Sequence, residues 1–380
     1  MDDAAYAFDF SQHRWSVRLH FLSGITTPAL LTLLWRYRRH LSVTYAHRVL
    51  FMLLISLFNS ACAALETLLY ARRIRATQLD TSPLIVLGHP RTGTTHLHNL
   101  LSQDGRYAVC TTWMCAFPSS FLVLRPFKRL LAGMLTPTRP MDGMALSWDL
   151  PAEDEIASCV LSGGVSPYMA LVFPNASFQD FYSFSSASAA DYAAWEAAFL
   201  GFCLKTTFAC GRNRPLLLKS PVHTARIRVL SRLFPEARFV CAHRHPLRVF
   251  SSAAHMAQSY YTYTLLETPS DERMTRYILD LFVTLFDEYE AQRKRVPPGR
   301  LVEVPFALLD DDPMGALRMV YDTLRLGRFD AECGAGAAAR SYARSLRGFK
   351  QNDLRPLGPA VEARVRARWA AAFGGRWGYA

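Results

Sequence analysis

The stretch Leu84-Ile-Val-Leu-Gly-His-Pro-Arg-Thr-Gly-Thr-Thr95 decides how this chain folds. Four aliphatic residues, Leu84 to Leu87, stand between Pro83 and Gly88. An uninterrupted apolar run of that length suits a parallel strand buried on both faces. Leu97, Leu100 and Leu101 then recur at helical spacing, so the residues between form a strand-to-helix loop. Gly88 and Gly93 let the loop amides turn inward at the positive end of the following helix, a geometry that holds an anion.

The spacing Gly88-x4-Gly93 is that of an NTPase phosphate loop, but Thr94 stands where that loop carries lysine. With no lysine, and no strand ending in an Asp placed to hold magnesium, a GTPase or ATPase loses its two main supports. Arg91 supplies the positive charge inside the loop instead. A guanidinium there can pair with anionic oxygens and stabilise charge gathering on a leaving phosphate.

Leu216 to Leu218 reads as a second buried strand, ending in Lys219-Ser220-Pro221, and Arg226 to Pro235 as an amphipathic helix stopped by proline. Phe239 to His243 reads as a third strand, followed by Arg244-His245-Pro246 and a helix from near Leu247. This alternation predicts an α/β fold: a three-layer sandwich, P-loop NTPase-like, whose central parallel sheet is flanked by helices joined through right-handed crossovers. Functional groups then belong at the carboxyl ends of the strands. Arg244 lies at one such end and Ser252 two helical turns beyond it. Together they can hold a second phosphate, although an isolated Arg and Ser are more often structural.

The combined motifs resemble the PAPS-dependent sulfotransferase family, whose donor is 3'-phosphoadenosine 5'-phosphosulfate. The likeness rests on Gly-His-Pro-Arg-Thr-Gly-Thr-Thr, Leu-Leu-Leu-Lys-Ser-Pro, Leu233-Phe-Pro-Glu-Ala-Arg-Phe-Val240, the Arg244 and Ser252 pair, and Leu301-Val-Glu-Val-Pro-Phe-Ala-Leu-Leu-Asp-Asp-Asp-Pro313. It runs in order from Pro83 to Leu326. The resemblance implies that Arg91, Thr92, Gly93, Thr94 and Thr95 grip the 5'-phosphosulfate, that Arg244 and Ser252 grip the 3'-phosphate, and that Lys219 touches the transferring sulfuryl group. It implies no metal. Two departures stand out: Arg91 replaces the lysine usual in cytosolic members, and His245 replaces an aspartate found in many.

Cytosolic members carry a histidine base two residues after the strand-end lysine, where this chain has Pro221. The segment Leu150-Pro-Ala-Glu-Asp-Glu-Ile156 is similar to a Pro-x-Glu-Asp-Glu element of a bacterial-like branch of the family. Three consecutive acids also suit a helix start by charge alone. Glu155 is the first choice as base, with Glu153 and His223 behind it.

The chain divides into an N-terminal helical extension, residues 1–80, and a sulfotransferase-like domain, residues 81–380. Met1 to about Gln12 lacks the basic start of a secretory signal. Two apolar segments follow, Leu19 to Trp35 with Gly24 and Pro28 inside it, and Val49 to Tyr70 interrupted by Asn59 and Glu66, which are costly against lipid. They read as amphipathic helices lying on the catalytic domain or on a membrane surface, with a transmembrane hairpin or single anchor as the alternative. Arginines flank both, so charge gives no orientation. The expected location is cytoplasmic or membrane-associated; the alternative is an integral membrane protein with an N-terminal anchor.

Hydrophobic residues make up 51% and charged residues 19% of the 380, which excludes a largely disordered chain. The net charge of +12 favours anionic partners, but the basic residues are spread out, so a nucleotide or membrane surface fits better than a nucleic acid. Eight cysteines include no C-x-x-C pair and no close His partner at zinc spacing, and no metal site is expected. Aromatics between Cys110 and Phe208, among them Trp113, Phe117, Trp148, Tyr168, Phe181, Tyr182 and Trp195, belong to the core or to an apolar acceptor pocket. The acceptor is therefore a small molecule, a lipid or a glycan. Asn175-Ala-Ser177 is a glycosylation sequon, relevant only in a secretory pathway. The C-terminal stretch from Arg340 to Ala380, with Arg344, Arg347 and Lys350, is a candidate to close over the nucleotide, but its sequence is too plain to assign. Rival readings are a P-loop kinase or hydrolase, which needs magnesium and ATP or GTP, and a non-catalytic membrane scaffold.

Overall fold

Leu84–Leu87 (β1) is the middle strand of a five-stranded, all-parallel sheet in the computed structural model, which describes residues 4–211, 214–330, 334–346, 348–349, 352–375 and 377–379. The others are β2 (Ala108–Val109), β3 (Leu216–Lys219), β4 (Arg238–His243) and β5 (Leu301–Pro305), in the order β2-β3-β1-β4-β5. Ile85 lies opposite both Leu218 and Phe239, and Val86 opposite Lys219. The carboxyl ends of β3, β1 and β4 therefore emerge side by side.

Strand alternation assigns the two faces of the sheet to different cores. Ile85, Leu87, Leu218 and Phe239 join one cluster with the helices Pro246–Ser259 and Asp271–Arg293. Leu84, Val86, Leu217 and Val240 join another with α3 (Thr94–Leu101) and the helix Pro313–Leu324. This is the three-layer sandwich the sequence predicts. β1 and β3 are buried throughout, whereas β5, at the edge, buries only Val302 and Val304, as expected of a strand covered on one side. After β5 the chain enters a short helix, Phe306–Asp311.

The N-terminal segment shares the first of these cores: Phe21, Leu22, Ile25, Leu30 and Met52 all belong to it. Its two helices are α1 (Thr27–Arg36), with Pro28 in its first turn, and α2 (Ala46–Arg75). α2 turns its polar side inward. Arg48, Ser56, Asn59 and Glu66 are buried, while most of its leucines face out. The Arg48 guanidinium donates to the carbonyls of His13, Arg14, Ser16, Thr262 and Leu265. Asn59 donates to the carbonyls of Ser23 and Ile25. Glu66 accepts from the amides of Leu122 and Val123 and pairs with Lys205. Of the residues that looked costly against lipid, Glu66 thus finds its partners in the protein, and Asn59 does so through its amide nitrogen.

Candidate active site

The loop after β1 is held open by its glycines and one unusual arginine. Gly88 and Gly93 have φ of 135° and 90°, and a Cβ at Gly93 would stand 2.5 Å from the Phe306 ring. Arg91 has φ of 77°, a left-handed conformation that costs a non-glycine residue about 1–3 kcal/mol. That conformation sends its side chain to Ser252, whose Oγ accepts from Nε at 2.9 Å, and to Asp142, whose Oδ2 accepts from Nη1 at 2.9 Å. Arg244, on the residue after β4, reaches the Arg91 carbonyl at 3.4 Å and lies 4.0 Å over the Phe306 ring. Burial, then the neighbouring positive charge of Arg91, pulls its pKa down. Cations crowded in this way create a field that an anion would relieve. Arg91, Gly93, Thr94, Thr95, Arg244 and Ser252 line one cavity here, whereas Thr92, expected among them, is buried and donates both its amide and its hydroxyl to the His89 carbonyl; His245 packs edge-on to Phe373 and Tyr379.

Lys219 closes β3 beside the loop, with Nζ 2.7 Å from Glu153 Oε1 and 3.4 Å from Thr95 Oγ1. Thr95 Oγ1 also accepts from Arg139 at 3.3 Å. The other Glu153 oxygen accepts the hydroxyl of Tyr168, which lies 2.9 Å from Ser220 Oγ. Burial raises the Glu153 carboxyl, but the charge and hydrogen bond of Lys219, with help from Tyr168 and Arg139, outweigh it and leave its pKa below the ordinary value. Glu153 is thus a carboxylate at neutral pH, next to the lysine and still a quarter exposed.

The three consecutive acids have three different jobs. Asp154 accepts the Lys219 amide at 2.9 Å and lies 2.5 Å from His223 Nε2, with both side chains fully buried. Burial raises the Asp154 pKa, but the charge and hydrogen bond of His223 overcome this and lower it. Glu155 is also fully buried and grips Arg226 through two bonds of 2.6 and 3.1 Å, while accepting from Ser166 and Trp195. Among the described residues, neither Glu155 nor His223 lines either of the two cavities below, whereas Glu153 lines one of them with Lys219 and Arg91.

Two cavities meet at these groups. One, of about 710 Å³, is lined by Arg91, Arg244, Arg340 and Arg344 together with Asp142, Asp310 and Asp311, and by Ser252 and Phe306. The C-terminal stretch does form part of its wall; Arg347 and Lys350 lie outside the described residues. The other, of about 620 Å³, is mainly apolar and holds Glu153, Lys219 and Tyr168 beside Phe117, Trp148 and Tyr182. Trp113, Phe181 and Trp195 of the expected aromatic set are core residues instead. Arg91, Thr94 and Thr95 line both cavities. Sequence reasoning missed Arg139 and Asp142, which sit in a loop with no periodicity to mark them.

Residues 83–330 match the sequence profile of the Sulfotransferase family. The chain is 30% identical over 358 residues to the omega-hydroxy-beta-dihydromenaquinone-9 sulfotransferase Stf3 of Mycobacterium bovis and of Mycobacterium tuberculosis, covering 94% of this chain and 90% of each relative. Among solved structures it is similar to sulfotransferase STF1 from Mycobacterium tuberculosis H37Rv, with a TM-score of 0.63 and 18% identity over 96% of this chain and 94% of that one. Sulfotransferase STF9 from Mycobacterium avium gives 0.62 and 18% over 93% and 98%. These last two likenesses speak to the fold.

Proposed function

Because this chain belongs to the sulfotransferase family, we propose that it moves a sulfuryl group from 3'-phosphoadenosine 5'-phosphosulfate to the hydroxyl of a lipid acceptor. The observation that carries this reading is the meeting of an arginine-rich cavity and an apolar cavity at Arg91, Thr94 and Thr95, beside Lys219 and Glu153. The donor set suits an anionic nucleotide. Loop amides opened by Gly88 and Gly93, with the Arg91 guanidinium, match a phosphosulfate, and Arg244 with Ser252 matches a further phosphate. The apolar cavity suits the long hydrocarbon part of an acceptor, and Stf3, named for a menaquinone-type lipid, supports the same class.

In this reading the acceptor hydroxyl lies against Glu153, which takes its proton as the oxygen attacks sulfur in line. The bond between sulfur and the bridging oxygen of the phosphosulfate breaks, and its electron pair leaves with the phosphate. Lys219 and Arg91 stabilise the charge on the transferring group and on that leaving phosphate. The products are a sulfate ester and adenosine 3',5'-bisphosphate. Tyr168 and Lys219 hold the Glu153 carboxylate in position, and Asp154 fixes the backbone of Lys219.

The test is incubation with radiosulfur-labelled donor and hydroxylated isoprenoid quinones, followed by separation of labelled lipids. Label should enter the lipid with wild-type protein and fall to background with Lys219→Ala. Equal incorporation by the two proteins, or none by either, defeats the proposal.

A further inference from the structure

The outward face of α2 presents Leu50, Leu54, Leu57, Phe58, Leu65 and Leu68, each 45% to 82% exposed, on the three- and four-residue spacing of one helix side. A row of this length on a water-facing helix needs a partner. We propose that this face docks flat on an anionic membrane surface and feeds the lipid acceptor into the apolar cavity beside it.

The charge pattern names the partner. From residue 10 to residue 79 the chain contains nine arginines and one acid, and that acid, Glu66, is buried against Lys205. Exposed Arg72, Arg73 and Arg75 close one end of the leucine row, and exposed Arg38 and Arg39 shortly precede the other. Trp35, 70% exposed, stacks with Arg38 at 4.4 Å, an aromatic and a cation of the kind that sits at headgroup level. A second protein copy carrying the same cations would repel this face, whereas anionic lipid attracts it.

The inward face rules out a crossing. Arg48 and Glu66 are both fastened to the protein, and at 1.5 Å per residue they stand roughly 27 Å apart along α2. A helix pinned to the body over nearly the thickness of the hydrocarbon, about 30 Å, cannot traverse it without dragging the body inside. Lying in the interface, it satisfies both faces. Its neighbours complete the route: Phe51 and Ile55, next in sequence to exposed Leu50 and Leu54, line the apolar cavity that holds Glu153 and Lys219. The route rests on the lipid-acceptor reading above; the docking does not.

Flotation with vesicles of phosphatidylcholine and phosphatidylglycerol in equal parts tests it, using the full chain. Wild type should float with these vesicles, and less with phosphatidylcholine alone or in high salt. Leu54→Glu/Leu57→Glu/Leu68→Glu should weaken binding by more than about tenfold, and Arg72→Gln/Arg75→Gln by about fivefold per arginine. Both variants should still bind adenosine 3',5'-bisphosphate, which reports an intact fold. The leucine variant should sulfate a vesicle-embedded acceptor poorly and the same acceptor in detergent micelles normally. Wild type that ignores anionic vesicles, or a dimer that the leucine substitutions split, overturns the proposal. Normal flotation without sulfuryl transfer to any lipid would sink the functional reading and leave the docking standing.

Discussion

Glu155→Gln separates a structural acid from the base proposed two residues away. Glu155 and Arg226 are both sealed from solvent, and the guanidinium is also packed between Phe184 and Trp195 at 4.7 and 4.6 Å. Glutamine keeps the shape and can still accept from Ser166 or Trp195, but it leaves the arginine charge buried and uncompensated. Breaking such a pair from one side costs about 3–5 kcal/mol. An unfolding entropy of about 2.1 cal/mol/K per residue gives roughly 0.8 kcal/mol/K for 380 residues, so the melting temperature should fall by about 4–6 °C. Turnover well below that temperature, at saturating donor, should stay within about twofold of wild type, as expected of a residue outside the reaction. Glu153→Gln should lower kcat by about 10²–10⁴, with a smaller fall in melting temperature than Glu155→Gln, because its carboxylate is a quarter exposed although its partner Lys219 is buried. The reasoning is refuted if Glu155→Gln melts with wild type and loses turnover while Glu153→Gln turns over normally.

Loss of Arg244 to Ala should weaken adenosine 3',5'-bisphosphate binding by about ten- to a hundredfold, the worth of a charged hydrogen-bonded contact; titration calorimetry checks this, and a magnesium chelator should not change the result. Lys219→Met should lower kcat by about 10²–10³ while bisphosphate binding persists, as the proposed role of its ammonium at the transition state requires. With the Glu153 carboxyl held below its ordinary value of 4.5, kcat should stay level from neutrality down to that pH and decline only below it; a limb near neutrality would point to a different base. Hydrogen bonds from Arg364 and then Arg276 draw the pKa of Glu272 to about 2 from an ordinary 4.5. A lowered folded-state pKa stabilises above the unfolded value and loses that contribution as the pH falls through the folded one. Melting curves of wild type and Glu272→Gln should therefore differ at neutral pH and converge between about 4.5 and 2.

The sheet was readable because strands buried on both faces are plain aliphatic runs, and Pro83, Gly88, Lys219 and Pro246 punctuate them. β2, two residues long, leaves no such trace. The acidic triplet could be noticed but not sorted. Successive helical residues point about 100° apart, so at most one can face a given cavity, and which one depends on how the helix Asp154–Leu161 docks. Glu153 precedes that helix in extended backbone, and tertiary packing alone aims it at Lys219. On α2 the signal was present: Arg48, Met52, Ser56, Asn59 and Glu66 share one helical stripe, so the polar interruptions already defined a face.

The inverted polarity of α2 also constrains anyone who handles this protein in water. Deleting the greasy N-terminus to gain solubility would strip the partners from Lys205, Leu122 and Val123 and remove Phe51 and Ile55 from the cavity wall. Repainting only the outer leucines with polar side chains keeps every inward contact, so resurfacing is the route to a well-behaved preparation and truncation the route to a collapsed one.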